Sequence, residues 1–199
     1  MIRRMIIAVA AALLGVIALT GCSANDSLAQ QYQEGNEKGY IAGDFRVVEI
    51  AAGERGAPVV FEGITETGEA VSSDDYRGEV LVVNFWYAAC GPCIVEAPML
   101  EEVWQEYQDQ GVSFLGVNTY DQPATALSFA SDNNVTYPSV IDVNDGKVKL
   151  AFAQVTPIQA TPTTLVVDRE GRVAARIIGQ LQSASILSTL VREILGESP

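Results

Sequence analysis

Between residues 80 and 107 the chain passes from an apolar run to a helical pattern through four residues that contain two cysteines. Val80-Leu81-Val82-Val83-Asn84-Phe85-Trp86 is apolar at every position but one, as in a strand covered on both faces of a sheet. Beyond Cys90-Gly91-Pro92-Cys93, apolar residues at Ile94, Val95, Met99, Leu100, Val103, Trp104 and Tyr107 follow helical spacing until Gly111 stops it. The remainder alternates in the same way. Residues 59–71, broken at Thr67-Gly68, read as an N-terminal β-hairpin, and 74–78 as a turn. Residues 112–118 read as a buried strand, 123–133 as a helix with Pro near its start, and 147–154 as a shorter helix. Strands over 163–168 and 172–178 follow, joined at Glu170-Gly171. A last helix over 183–195 presents Ile186, Leu187, Leu190, Val191, Ile194 and Leu195 on one face, with Gly196 ending it. The pattern is that of a three-layer α/β domain.

Charge and composition remove several function classes. Twelve Lys and Arg against 25 Asp and Glu give a formal charge of -13, so the surface repels nucleic acid and no nucleic-acid partner is expected. The chain has no His, which excludes Ser-His triads and His-bound zinc. At 199 residues with no recurring period, one domain with a sizeable core is expected rather than a repeat array.

The N-terminus carries an address. Arg3 and Arg4 precede an apolar run from Met5 to Leu19, too short for a helix that needs about 20 residues to cross a bilayer. Leu19-Thr20-Gly21-Cys22 looks like a bacterial lipobox, which implies cleavage before Cys22 and lipidation of that cysteine. The expected organisation is a lipoprotein signal peptide over 1–21, a lipidated tether over 22–44 and the folded domain over 45–199. The tether is rich in Gln, Asn, Glu, Gly and Ser, too polar to order itself, and would reach roughly 25 Å from the membrane.

Cys22 aside, Cys90 and Cys93 are the only cysteines. A disulfide closing so short a loop barely constrains the unfolded chain, so a structural staple explains the pair poorly. No metal site is expected, because zinc would need further ligands that only carboxylates could supply. At the N-terminus of the helix, unpaired N–H groups and the helix dipole favour a thiolate at Cys90, making it the nucleophile. Pro92 suits the first turn, where its missing N–H would lack a partner. Cys93, one turn in and more shielded, would resolve the mixed disulfide.

At Asn84-Phe85-Trp86-Tyr87-Ala88-Ala89-Cys90-Gly91-Pro92-Cys93 the sequence resembles the thioredoxin family, over nearly the whole domain. Pro98 sits where thioredoxins kink this helix, Thr161-Pro162 matches the family's cis-proline, and Gly179 matches a glycine after the last strand. Pro157 reads as a plain loop proline. The resemblance implies a thioredoxin fold with a central mixed sheet, and a cis bond before Pro162, with Thr161 offering its backbone to a substrate beside the cysteines. Trp86 is retained from the family as a substrate-side aromatic, although an aromatic in a buried strand is more often core. The lipobox, the insertion before the cis-proline strand and Glu96-Ala97-Pro98 look like the membrane-tethered TlpA and ResA-like group. In that group a glutamate at the position of Glu96 lies near the active site and tunes it, so Glu96 could take the proton that Cys93 loses. On residue type alone, Glu96 would read as a solvated helix residue. Asn84 replaces the buried aspartate of many thioredoxins, and Ala89 replaces the usual Trp, which removes a flat contact surface.

The implied chemistry is thiol-disulfide exchange with no cofactor. Gly-Pro between the cysteines and the acidic Glu96 nearby point to a reductant rather than a strong oxidant. By resemblance the partners are disulfide-containing exported proteins such as apocytochromes c awaiting haem, and a membrane electron donor of the CcdA/DsbD type. A peroxiredoxin-like peroxidase would expect Pro and Thr where Val83 and Tyr87 stand. A non-catalytic binding lipoprotein with a static disulfide is the third reading.

Overall fold

The computed structural model describes residues 47–197; the signal peptide, Cys22 and the tether expected up to residue 44 lie outside them. Among the described residues there are eight strands: β1 (Val47–Glu49), β2 (Glu62–Ile64), β3 (Ala70–Ser72), β4 (Val80–Trp86), β5 (Val112–Asn118), β6 (Ser139–Ile141), β7 (Thr163–Val167) and β8 (Val173–Ile178). The α-helices among the same residues are α1 (Gly91–Tyr107), α2 (Pro123–Asn133), α3 (Lys147–Ala153) and α4 (Ala184–Gly196). Six strands form one mixed sheet in the order β1-β8-β7-β4-β5-β6. β4, β5 and β6 run parallel, whereas β7 is antiparallel to both β4 and β8, and β1 is antiparallel to β8.

Every residue of β4 is buried, as a run apolar at all positions but Asn84 requires of a strand with helices over both faces. Alternate residues serve opposite layers. Val80 and Val82 pack with Leu100, Val103 and Tyr107 of α1 and with Leu187, Leu190 and Val191 of α4. Leu81, Val83 and Phe85 pack on the other side with Val148 and Phe152 of α3 and with Val59 and Phe61. Short α3 is held there by Phe152, which is fully buried with its ring 5.5 Å from that of Phe61 and 5.7 Å from that of Phe85. Burying such a side chain is worth about 1.5–3 kcal/mol, far more than seven residues could gain from helix propensity. The expected three-layer α/β/α arrangement is therefore present.

Two parts differ from expectation. The hairpin is shorter and later than residues 59–71: β2 and β3 form a separate two-stranded sheet, while Val59 and Phe61 precede it as core residues. It leans on the edge of the large sheet through a bridge between Thr65 and Val140. The edge strands β1 and β6 were not anticipated, because three residues carry no readable alternation and their order comes from pairing with β8 and β5. The insertion before β7 consists of α2, β6 and α3.

The sheet register positions the site. Phe85 pairs with Thr163 across antiparallel β4 and β7, so the C-terminal end of β4 and the start of β7 lie at one end of the sheet. Cys90 follows the first and Pro162 precedes the second. The Thr161–Pro162 bond is the one cis peptide among the described residues. Gly179, at φ +78°, turns the chain after β8 so that its N–H donates to the Pro162 carbonyl at 2.8 Å.

Candidate active site

Helix α1 starts where the sequence places its start. Cys90 is the N-cap, with extended backbone, and its sulfur accepts the Cys93 backbone N–H at 3.2 Å. This is the bond that a capping Ser or Asp would make, satisfying a helix donor that otherwise has no partner. Pro92, in the first turn, removes another unpaired donor. Cys90 and Cys93 are joined in a disulfide. Sulfur at residue 90 therefore sits on the positive end of a seventeen-residue helix with an N–H already aimed at it.

The expected difference in shielding between the two cysteines is not seen in this oxidised state: Cys90 is 3% and Cys93 2% exposed. The Cys90 sulfur lies against the first turn of α1, and the exposed rim is left to Ala89, Gly91, Pro92, Ile94 and Val95. Trp86 is also inward, 6% exposed, with its ring 4.4 Å from that of Phe129 and its indole N–H donating to Ser139 Oγ at 3.2 Å. It backs the disulfide in one apolar cluster with Cys90, Cys93, Ala97 and Ala126 rather than facing solvent.

Glu96 is fully buried, against the solvated position that its residue type alone would favour. Its Oε1 accepts from the Asn84 side-chain amide at 2.8 Å, and its Oε2 accepts from the Leu181 N–H at 2.7 Å. Asn84 also donates to Thr164 Oγ1 at 3.0 Å, so its amide ties α1 to β7 through β4. Burial pushes the Glu96 carboxyl from its ordinary 4.5 up to about 7, against the opposing pull of the Leu181 N–H and the Asn84 amide. Both oxygens are engaged away from the sulfurs. Asn84, the donor to Glu96, also lines a small cavity with Cys93, Trp86, Tyr137, Ser139 and Glu66, with room for about one water.

The β5–α2 loop is a part of the site that sequence reasoning missed. Asp121 Oδ2 accepts the Ala88 N–H at 2.6 Å and the Asn118 side-chain amide at 3.0 Å. Asn118 Oδ1 accepts the N–H groups of Tyr120 and Asp121 at 3.1 and 2.7 Å. The loop is thereby fastened to the segment leading into Cys90, and the Tyr120 ring stands 5.7 Å from that of Tyr87. Asn118 and Asp121 closing a buried strand carry an Asx-turn signal that could have revealed it.

The chain is similar to known proteins. The chain is 38% identical over 112 residues to the thiol-disulfide oxidoreductase ResA of Geobacillus thermodenitrificans, covering 56% of this chain and 62% of that protein. It thus spans less than two thirds of the relative's length. A DsbF homologue from Corynebacterium diphtheriae superposes with a TM-score of 0.66 at 30% identity, over 80% of this chain and 99% of that one. A secreted thiol-disulfide isomerase from Corynebacterium glutamicum, 23% identical, shares the fold at a TM-score of 0.71 over 81% and 99% of the two chains. Residues 51–190, running from before the hairpin into α4 and including both cysteines, Glu96 and the cis-proline, match the Redoxin family, and the chain belongs to it.

Proposed function

We propose that the protein is an extracytoplasmic thiol-disulfide oxidoreductase that reduces protein disulfides with the Cys90/Cys93 dithiol. The observation that carries the reading is the Cys90 sulfur capping α1 and accepting the Cys93 N–H, bonded at the same time to Cys93. Such a sulfur is a better thiolate than a free thiol and a better leaving group when it departs. The ResA relative supports the same chemistry by its name.

In the proposed cycle the Cys90 thiolate attacks one sulfur of a substrate disulfide, forming a mixed disulfide and releasing the other sulfur as a thiolate that takes up a proton. Cys93 then gives up its proton, attacks Cys90 and frees the second substrate sulfur. Two electrons have passed to the substrate, and the Cys90–Cys93 disulfide of this structure is the product state. A membrane donor of the CcdA/DsbD type returns two electrons. Glu96, titrating near 7 one helical turn past Cys93, is suited to take up or release a proton at neutral pH. Thr161 and Pro162, at the same end of the sheet, present backbone to the substrate chain, and Trp86 supports the disulfide from behind. Lipidation at Cys22 would hold the domain at the outer face of the membrane, within reach of exported substrates such as apocytochromes c. Among the described residues, no helix is long and apolar enough to cross a membrane.

Expression of Cys93→Ala in the native cell tests the reading. The variant should accumulate mixed disulfides through Cys90 that dithiothreitol releases, and identifying the trapped proteins names the substrates and the donor. The purified chain should reduce insulin, and Cys90→Ser should abolish that activity. No trapped species, together with no insulin reduction by the wild type, refutes it.

A further inference from the structure

The reactive disulfide lies below the surface, and no exposed aromatic adjoins it directly in the chain. Cys90 and Cys93 are almost fully buried; on the rim, Ala89, Gly91 and Pro92 have no large side chain, and just past Cys93 the exposed side chains are the aliphatic Ile94 and Val95. A macromolecular substrate that seeks an aromatic contact takes it from the neighbouring loops. Among the described residues the one largely exposed aromatic is Tyr120, 73% exposed, with its ring set against that of Tyr87. Tyr87 in turn packs on the cluster that contains both cysteines, and its carbonyl accepts the Cys90 N–H at 3.2 Å.

Tyr120 is exposed but not loosely held. Its own N–H and that of Asp121 are taken by Asn118, which is fully buried, and Asp121 fastens the loop to Ala88. A ring with few rotatable bonds on a clamped loop gives contact area without a large ordering cost, which is why Tyr is favoured at recognition surfaces. We infer that Tyr120, backed by Tyr87, is a specificity-determining contact that receives an aromatic or large apolar side chain flanking the cysteine of an extended polypeptide substrate. The inference rests on the thiol-disulfide exchange proposed above, and names the substrate class of that same site.

The test uses the full chain in its reduced form and two peptides, each with one internal disulfide, differing only in the residues flanking the cysteines: Phe and Leu in one, Gly and Ser in the other. The wild type should show the lower KM for the Phe/Leu peptide. Tyr120→Ala should raise that KM about 3- to 10-fold, the range of a lost aromatic contact, with kcat holding within about twofold, so that the preference between peptides disappears. Tyr120→Phe, which keeps the ring, should retain the preference. The inference is overturned by a wild type with equal KM for both peptides, by a Tyr120→Ala variant that keeps the preference, or by one that loses kcat equally on both, which would mark a structural role. A wild type that turns over neither peptide fails the exchange reading itself, and this inference falls with it.

Discussion

Replacing Glu96 by Gln should leave the oxidised chain little changed in stability at pH 4.5 but more stable than the wild type by about 3 kcal/mol at pH 8. The carboxyl titrates near 7 when folded against 4.5 ordinarily, a difference worth about 3 kcal/mol in proton affinity. Below pH 4.5 both states carry the proton, and the folded chain has the full benefit. As the pH rises to 7, the unfolded chain ionises first and that benefit drains away. Above 7 the folded chain must hold a buried charge, whose cost outweighs the hydrogen bonds from Asn84 and Leu181. Gln carries no charge: its oxygen can accept from the Leu181 N–H, and its amide can donate to Asn84 once that side chain turns over. Urea unfolding of wild type and variant, disulfide intact, at pH 4.5, 6, 7 and 8 isolates the contribution as the difference between the two. At about 2–4 °C per kcal/mol for a domain of this size, the melting temperatures at pH 8 should separate by roughly 6–12 °C. A difference that does not vary with pH, or one that favours the variant less at pH 8 than at pH 4.5, would refute the claim that burial dominates this carboxyl.

Two other substitutions probe the frame around the site. Gly116→Ala would set a methyl against Ser139 Oγ and 2.8 Å from the Trp86 indole nitrogen, so it should break their hydrogen bond, cost about 1–3 kcal/mol in urea unfolding and shift the tryptophan emission. Arg55→Met removes a guanidinium, 2% exposed, that lies between Asp168 and Glu197; Asp168 keeps only Arg172 as a charged partner, and the loss should be about 2–4 kcal/mol by the same measurement.

The central elements were legible because their signals are local. The apolar runs of β4 and β5 and the helix opened by Pro123 have in the structure the ends read from the sequence. The helix from Pro123 stops at Asn134, whose left-handed backbone, φ 55°, ends it without a glycine. Where order comes from distant pairing, the sequence is silent: β1 exists because β8 lies beside it, and β6 because β5 does. Glu96 belongs to the same class. Its helical position is what a solvated residue would also have, and its burial is made by Leu181, 85 residues further on, and by Asn84 on the neighbouring strand. The cysteine pair was legible at once, since strand, turn, proline and helix all carry their own marks, but the recessed sulfurs and the fastened Tyr120 loop depend on side chains converging from separate segments.

One sulfur atom both exchanges electrons and stops the end of the longest helix among the described residues. Every turnover therefore reloads a helix terminus: the cap is neutral in the disulfide, anionic in the dithiol, and shared with a foreign chain in between. Reactivity and local folding cannot be adjusted separately at this atom. An inert variant that keeps an oxygen there, such as Cys90→Ser, silences the reaction alone, whereas Cys90→Ala also frays the first turn of α1, at a cost of about 1 kcal/mol.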